Sequence, residues 1–307
     1  MNDPFDDIVT LLRPKAVFSK PITGRGEWGV RYPAYGAPGF AIVLSGQCWL
    51  AVEEAPGPVL LAAGDFVLLP AAPAFAMFSR PGAACLPGTP RREAVHHGDP
   101  TGEPDLRILG GAFAIDPANA RLLLALLPGM IHIPAGATSV AGIVGLIMDE
   151  CRADRPGRET VLARLLEVML VEALRWPGAA PGAVPAGLLA GMRDPALADV
   201  LRAMHADVAG GWTVAGLAAR AGMSRSAFSA RFSDVVGCAP MEYLGRWRMT
   251  LAQDALSRGP ISLDRLAEDI GYESASAFST AFRRRLGCSP GAFARARQTT
   301  VVSQPHP

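Results

Sequence analysis

The last third of the sequence contains an internal repeat, because the segments 212–237 and 261–287 align almost without gaps. Identical residues in the two copies keep a constant separation, which is 49 positions in the first part and 50 after one inserted residue. The matched pairs are Leu217 with Leu266, Ala218 with Ala267, Gly222 with Gly271, Phe228 with Phe278, Phe232 with Phe282, Gly237 with Gly287 and Pro240 with Pro290. Two copies in register indicate a duplicated structural unit, so this part of the chain must fold into two similar pieces.

Each copy of the repeat carries the start and stop signals of two short helices. A hydroxyl that can cap a helix precedes an apolar stretch and a turn glycine, and a serine cap then precedes a helix with two phenylalanines four residues apart. A second glycine ends that helix. The caps are Thr213, Ser224, Ser262 and Ser274, and the glycines are Gly222, Gly237, Gly271 and Gly287. The pattern predicts two helix-turn-helix motifs, and one face of each second helix is free to enter a DNA major groove.

A single helix is predicted to join the two motifs over residues 240–257. Its 18 residues span about 27 Å at the α-helical rise, which approaches the roughly 34 Å between successive major-groove faces of B-DNA. We therefore expect one chain to read two adjacent grooves of a bent or slightly compressed duplex without needing a dimer.

The net charge of +1 hides a difference between the two parts of the chain. From residue 190 onward there are fourteen arginines, no lysine and ten acidic residues, a net charge of +4, whereas the preceding part has a net charge of −3. A basic C-terminal part fits a polyanionic partner, although an uneven spread of solvated charges would give the same count.

Short apolar runs punctuated by glycine and proline predict strands in the first third of the chain. The predicted strands are 40–44, 48–52, 59–61, 66–69, 75–78 and 107–113. Many short strands at this spacing suggest a barrel or a double-sheet roll.

Helical periodicity replaces the strand pattern beyond residue 115. Helices are predicted at 117–127, 139–152 and 159–176. The apolar residues of the last helix cover more than one narrow stripe. Part of that surface is therefore expected to pack on a second subunit, with packing on the chain's own barrel as the alternative.

The segment 177–191 is dense in proline, glycine and alanine and too poor in large side chains to form a core. We therefore predict an N-terminal domain at 1–176, a linker at 177–191, a DNA-binding domain at 192–297 and a disordered tail at 298–307.

The five cysteines are scattered and never form a C-x-x-C pair. This argues against a disulfide framework and against a zinc ribbon. The first ten residues lack the basic-then-apolar order of a signal peptide, and no stretch approaches a membrane span without glycine, proline or charge. We expect a cytoplasmic protein with no membrane partner.

The repeat resembles the DNA-binding domain of the AraC/XylS family. In the first motif and the joining helix the resemblance is carried by Leu217-Ala218, Ala221-Gly222-Met223-Ser224, Phe228, Phe232, Gly237, Pro240, Tyr243, Leu244, Arg248 and Ala252. In the second motif it is carried by Ile270-Gly271-Tyr272, Ser276, Phe278, Phe282, Arg283, Gly287 and Pro290. The N-terminal part resembles, more loosely, the cupin-like sensor domain of one AraC subgroup, through Gly46-x-Cys48-Trp49-Leu50 and Gly64-Asp65-Phe66-Val67-Leu68-Leu69-Pro70.

The resemblance implies a two-domain fold, in which a mostly-β cupin-like barrel with trailing helices precedes an all-α domain with two helix-turn-helix motifs. It also implies a transcription regulator, most often an activator, which binds promoter DNA and senses a small-molecule effector. RNA polymerase and a second copy of the chain, bound through the helices after the barrel, are the further expected partners.

The resemblance also places the residues that would read bases. They are Ser226, Ser229, Ala230, Ala275, Ser276, Ser279 and Thr280. Family members often have Arg at the place of Ala230 or Thr280, where a bidentate contact to guanine is worth about 1–3 kcal/mol. Ala and Thr can offer only a methyl contact or a single hydrogen bond. We therefore expect specificity to depend on thymine methyl groups, water or DNA shape.

Arginines near the two motifs are candidates for phosphate contact, which gives affinity without reading sequence. They are Arg225, Arg231, Arg246, Arg283 and Arg284. For each of them the alternative is a solvated or ion-paired arginine, and Arg248 is expected to have an intramolecular structural role.

Two other functions remain open from the sequence. A chain that kept the fold but lost base reading would bind DNA without sequence preference or act as an interaction protein. A metal-dependent cupin enzyme is disfavoured, because Phe75 occupies the position where such cupins usually have His and no His-x-His lies in the 46–54 region. We find no nucleophile elbow, phosphate-binding glycine loop or paired catalytic carboxylates, so we expect no catalysis, no metal and no cofactor.

The apolar interior of the predicted barrel is a candidate effector pocket. Its aromatic candidates are Phe40, Trp49, Phe66, Phe75 and Phe78. Ordinary core packing is the alternative for all five.

Overall fold

The computed structural model describes residues 4–12, 15–53, 55–114, 128–153, 155–176 and 187–302. These residues form two compact units, which we call the β unit and the helical unit. The β unit comprises the described residues of 13–115 and 127–184, and the helical unit comprises those of 1–12 and 185–307. The predicted combination of a mostly-β part and an all-α part is confirmed.

Two sheets make up the described strands of the β unit. The strands are β1 (Lys15–Arg25), β2 (Gly29–Tyr32), β3 (Gly39–Ser45), β4 (Gln47–Val52), β5 (Val59–Ala62), β6 (Phe66–Leu69), β7 (Phe75–Phe78), β8 (Leu86–Pro87), β9 (Val95–Gly98), β10 (Leu106–Ala114) and β11 (Ile131–Ile133). One sheet has six strands in the order β11-β6-β3-β10-β1-β9, and the other has five in the order β5-β4-β7-β2-β8. Both sheets contribute residues to one buried cluster, which includes Leu50, Val67 and Ile108.

The six predicted strands are all present, and their ends differ from the prediction by at most one residue. The longest strand, β1, was missed. Lys20, Pro21 and Gly24 interrupt its apolar pattern, and its backbone is held by an antiparallel ladder with β10, which lies far away in the sequence. A strand stabilised by a distant partner leaves a weak local signal.

The turn before β6 is fixed by the buried carboxylate of Asp65. This carboxylate accepts hydrogen bonds from the backbone N–H of Ala62 at 3.0 Å and of Ala135 at 2.9 Å, and it lies 3.0 Å from Nε2 of His132. The Gly64-Asp65 pair, part of the cupin-like pattern in the sequence, therefore ties β6 to the segment around β11.

Two helices follow the strands of the β unit, α2 (Thr138–Arg152) and α3 (Arg158–Arg175). They confirm the helices predicted at 139–152 and 159–176. The α3 helix packs against β1, β11 and α2, which buries part of its broad apolar surface within its own chain. The helix predicted at 117–127 lies outside the described residues.

The described residues of the helical unit contain only helices and their connections. The helices are α1 (Pro4–Leu12), α4 (Leu188–Arg193), α5 (Leu197–Ala206), α6 (Val214–Arg220), α7 (Arg225–Val236), α8 (Pro240–Arg258), α9 (Leu263–Asp269), α10 (Ala275–Leu286) and α11 (Pro290–Val302). The joining helix α8 has 19 residues, one more than predicted.

Three predicted boundaries differ from the structure. The linker predicted at 177–191 ends earlier, because α4 begins at Leu188 and buries Leu188 and Leu189 against its neighbours α5 and α7. The tail predicted at 298–307 is helical as far as Val302. The helix α1 belongs to the helical unit rather than to the N-terminal domain, because its buried Phe5 and Leu11 lie on a helix that packs against α5. The positions 177–186 and 303–307 lie outside the described residues.

No helix in the described ranges is both long enough and apolar enough for a membrane crossing.

Candidate nucleic-acid interface and effector cavity

The two predicted helix-turn-helix motifs are formed by α6 with α7 and by α9 with α10. All four predicted cap hydroxyls accept a hydrogen bond from the backbone N–H three residues later, at distances from 3.1 to 3.5 Å. The second helix of each motif ends at a glycine in the left-handed conformation, with φ of +82° at Gly237 and +78° at Gly287. The local signals in the sequence were therefore sufficient to set these helix ends.

The phenylalanine pairs fix which face of each second helix points inward. Phe228 and Phe232 in α7, and Phe278 and Phe282 in α10, are all fully buried. Their ring centroids lie 5.6 Å apart in α7 and 5.5 Å apart in α10. Because this face is committed to the core, only the remaining face of each helix is available for a DNA groove.

The residues predicted to read bases keep part of their surface open to solvent. Ser226, Ala230, Ser276 and Thr280 are exposed, and Ser229, Ala275 and Ser279 are half-buried. In α10, three of these residues line one open surface pocket together with two arginines. The pocket is lined by Ser276, Ser279, Thr280, Arg283 and Arg284. This brings candidate base-reading and phosphate-binding groups together on one helix.

The arginines predicted to contact phosphate fall into two groups. Arg225, at the start of α7, and Arg283 and Arg284, in the last turn of α10, are exposed. No acidic side chain in the described part of the chain forms an ion pair with these three. Their charge is therefore available to an incoming polyanion.

Arg231 and Arg246 form the second group, because each already has a carboxylate partner. Both Nε and Nη2 of Arg231 contact the Asp194 carboxylate, at 3.0 and 2.8 Å. The Asp194 carboxylate also accepts the backbone N–H of Leu197 at 3.1 Å, which caps the start of α5. Burial raises the pKa of Asp194, but the hydrogen bonds from Arg231 and from the cap outweigh it and hold that pKa below its ordinary value. Arg246 contacts Glu242 at 2.6 Å within α8.

Arg248 has the intramolecular role expected from the sequence. Its Nε donates to the carbonyl of Val208 at 2.9 Å and its Nη2 donates to that of Gly210 at 3.0 Å. Its guanidinium also lies 5.9 Å from the centre of the Tyr272 ring. Arg248 therefore ties the joining helix to the loop before the first motif and to the turn of the second.

The turn glycines of the two motifs differ in their surroundings, which leads to a test. Gly222 has φ of +66° and Gly271 has φ of +76°, so alanine at either position should cost about 1–2 kcal/mol. A Cβ at Gly271 would also lie 2.7 Å from the carbonyl oxygen of Ala209 and 2.6 Å from Nη2 of Arg248, whereas a Cβ at Gly222 meets nothing within 4 Å. We expect Gly271→Ala to lower the free energy of unfolding by about 1–3 kcal/mol more than Gly222→Ala. Urea denaturation of the two variants measures this difference, and equal losses would contradict the close approach.

The β unit contains a cavity of about 260 Å³. Phe40 and Phe75, two of the predicted aromatic candidates, line it, but Trp49, Phe66 and Phe78 do not. The correction follows from strand parity, because successive side chains point to opposite faces of a sheet. The adjacent residues Leu50, Val67 and Met77 line the cavity instead.

No group of three or more His, Cys, Asp or Glu side chains within the described ranges is arranged to hold a metal ion. His96 and His97 lie in β9. Nδ1 of His96 lies 2.8 Å from Oγ1 of Thr23, and the ring of His97 stacks on that of Trp28 with their centroids 5.3 Å apart. The five cysteines are free. Burial, followed by the charge of Asp65, raises the pKa of Cys48 to about 12, so this thiol behaves as a small core residue.

Comparison with known proteins assigns both units. Residues 3–177 match the family model described as "Cupin", and residues 217–296 match the model described as "Helix-turn-helix domain". An AraC-like transcription regulator of Streptomyces lividans is 38% identical over 300 residues, which cover 94% of this chain and 97% of that protein. The RCS-specific transcriptional activator RclR of Escherichia coli is 31% identical over 151 residues, which cover 49% of this chain and 52% of that protein.

Among solved structures, the DNA-binding domain of AdpA in complex with a target DNA is 34% identical, with a TM-score of 0.33. That match covers 35% of this chain and 96% of the AdpA domain. The Streptomyces lividans regulator is similar over nearly the whole chain, and the two family models match the double-sheet unit and the duplicated motif. The chain therefore belongs to the AraC family of DNA-binding transcription regulators.

Proposed function

We propose that this regulator is an activator that reads two adjacent major grooves of promoter DNA through the exposed faces of α7 and α10. The observation that carries the proposal is the pair of motifs themselves. Each has its phenylalanine face buried and its polar face open, and α8 joins them over about 28 Å, close to the roughly 34 Å between successive groove faces. The name of the related activator RclR supports activation, and hence RNA polymerase as a partner.

Base reading is assigned to Ser226, Ser229 and Ala230 in α7 and to Ala275, Ser276, Ser279 and Thr280 in α10. Phosphate contact is assigned to Arg225, Arg283 and Arg284, whose guanidinium groups have no ion-pair partner among the described residues. The ion pairs of Arg231 and Arg246 favour a structural role for those two side chains. Action on chromosomal DNA supports a cytoplasmic location, which is part of the proposal.

We also infer that the β unit controls this activity, by binding a small molecule in its cavity and by forming a homodimer. Leu146 in α2 and Val161 and Val168 in α3 expose 58, 43 and 50% of their surface. Apolar side chains left outside the core on two neighbouring helices suit a second copy of the chain. A ligand would act by favouring one of two arrangements of the protein, since it shifts an equilibrium only through differential affinity.

The proposal is tested by selecting genomic fragments with the purified full-length protein at physiological salt and sequencing the retained DNA. We expect enrichment of a motif with two short blocks about one helical turn apart. Recovery of DNA without a common motif would instead support a non-specific DNA-binding protein, the alternative favoured by Ala230 and Thr280. A Phe282→Ala variant, whose second motif should be destabilised, serves as the control and should lose one of the two blocks from the enriched motif.

A further inference from the structure

The cavity of the β unit is apolar over most of its wall, but one region of the wall is cationic. Lys20 in β1 lines the cavity together with Arg91, and the phenol rings of Tyr32 and Tyr35 stand in the same wall. No aspartate or glutamate belongs to this wall in the described residues. The cavity therefore combines an apolar volume with a cluster of positively charged and hydrogen-bond donating groups.

Lys20 is an unusual residue in this chain. The sequence has 27 arginines and only two lysines, Lys15 and Lys20. Lys20 is a buried residue, with 9% of its surface exposed. Its Nζ donates a hydrogen bond to the backbone carbonyl of Arg91, which leaves further N–H donors on the same ammonium group. A buried ammonium is costly unless it is paired with an anion.

The nearby charges leave Lys20 without full compensation. Burial lowers the pKa of Lys20, the charge of Glu93 raises it, and the charge of Arg91 lowers it again, with a net pKa below the ordinary value. Glu93 and Arg91 are both exposed. An anion placed at Lys20 inside the cavity would favour the charged amine, and its own charge would be stabilised in return.

We propose that the cavity binds a small carboxylic acid with an apolar body, with its carboxylate against Lys20 and Arg91 and its apolar body toward Phe40, Leu69 and Met77. The phenol hydroxyls of Tyr32 and Tyr35 can donate to the same carboxylate. This ligand class rests on the proposed function, since it names the effector of the same regulator.

Size and polarity select this ligand class over others. A volume of about 260 Å³ lies just below the range of about 300–1,000 Å³ that is typical of sites for drug-sized ligands, so the acid must be small. A neutral hydrocarbon would place no anion against the Lys20 ammonium inside the cavity. A sugar would place many hydroxyl groups against an apolar wall that offers them few partners.

Calorimetric titration of the full-length protein, without DNA, tests the proposal with octanoate and its neutral counterpart octan-1-ol. We expect octanoate to bind at least about tenfold more tightly than octan-1-ol, because a hydrogen bond to a charged group adds that much or more. Lys20→Met should remove this preference and leave the affinity for octan-1-ol unchanged. Arg31→Met, on the exposed part of β2 and outside the cavity wall, should behave like the parent protein.

A second variant locates the binding site. Ala41 lines the cavity, so Ala41→Leu should fill part of the volume and weaken both ligands. Unchanged octanoate binding by Ala41→Leu, or equal affinities of the parent protein for octanoate and octan-1-ol, would overturn the proposal. Failure of octanoate to bind at all would overturn it as well.

Failure of the proposed regulatory function can be distinguished from failure of the ligand proposal. Octanoate binding that leaves the affinity for the selected DNA unchanged would keep the ligand site and reject its regulatory role. Absence of a DNA motif in the selection, with octanoate still bound through Lys20, would reject specific reading alone. Near-ultraviolet circular dichroism of each variant shows whether its fold is intact.

Discussion

Phe278→Ala is expected to lower the free energy of unfolding of the helical unit by about 3–5 kcal/mol. Phe278 is fully buried in the cluster that joins α8, α9 and α10, and its ring contacts those of Phe282 and Tyr272. Truncation removes apolar burial and leaves a cavity among rigid neighbours. A loss of this size is a large fraction of the roughly 5–15 kcal/mol that stabilises a typical domain.

Urea denaturation followed by hydrogen exchange of peptides from 240–290 measures this loss and separates the helical unit from the β unit. Ser276→Ala is the matched control, because Ser276 is exposed on the same helix and its truncation should change stability by less than about 0.5 kcal/mol. DNA binding should weaken in Phe278→Ala and persist in the control with altered sequence preference. A loss below about 1 kcal/mol in Phe278→Ala would mean that the buried and groove-facing sides of α10 are assigned the wrong way round.

Replacing Arg283 and Arg284 together by alanine is expected to weaken DNA binding for every sequence and to flatten the salt dependence. Each phosphate contact that is lost should lower the slope of log affinity against log salt by about 0.9, so the pair should lower it by about two. The measurement is fluorescence anisotropy of the selected DNA and of a scrambled duplex between about 50 and 200 mM salt. Both duplexes should lose affinity by the same factor.

Two single variants serve as controls for the double arginine variant. Arg258→Ala removes an exposed arginine at the end of α8 that pairs with Asp254 at 2.6 Å, and it should leave both affinity and slope unchanged. Ser276→Ala should keep the slope of the parent protein and change the preference at one base position, by about 1–3 kcal/mol at most. A sequence-dependent loss in the double arginine variant would contradict the phosphate assignment.

The helix-turn-helix motifs were predictable because their signals are local. The caps Ser224 and Ser274 act on backbone groups three residues away, and the spacing from Phe278 to Phe282 is one helical turn. Interactions over so short a distance are set by the order of residues along the chain. The duplication then removed the ambiguity that a single motif would have left.

Other features of the site depend on residues that are distant in the sequence. The partner of Arg231 is Asp194, 37 positions earlier. No local sequence pattern predicts an ion pair between two separate segments. The Asp194-Pro195 pair does predict the start of α5, because an aspartate can cap the helix that follows it. That signal was available, but it says nothing about which arginine completes the contact.

The cavity shows the same division within one strand. The apolar residues of β7 predict a strand over 75–78, but a strand has two faces. Only the packing of the two sheets sets which face lines the cavity. Phe75 and Met77 line it, and Phe78 does not. The position of Lys20 in the cavity wall could not be predicted from the sequence, since β1 becomes a strand only through its ladder with β10.

Sequence patterns alone were enough to predict the two-domain order, the six strong strands, the capped helices of both motifs and the family of the chain. These depend on residues within a few positions of one another and on a repeat that can be read directly. Only the folded chain shows which aromatic side chains line the cavity, which arginines form ion pairs within the protein and where Lys20 lies. Those outcomes depend on contacts between distant segments, whose free energy arises only when the chain is packed.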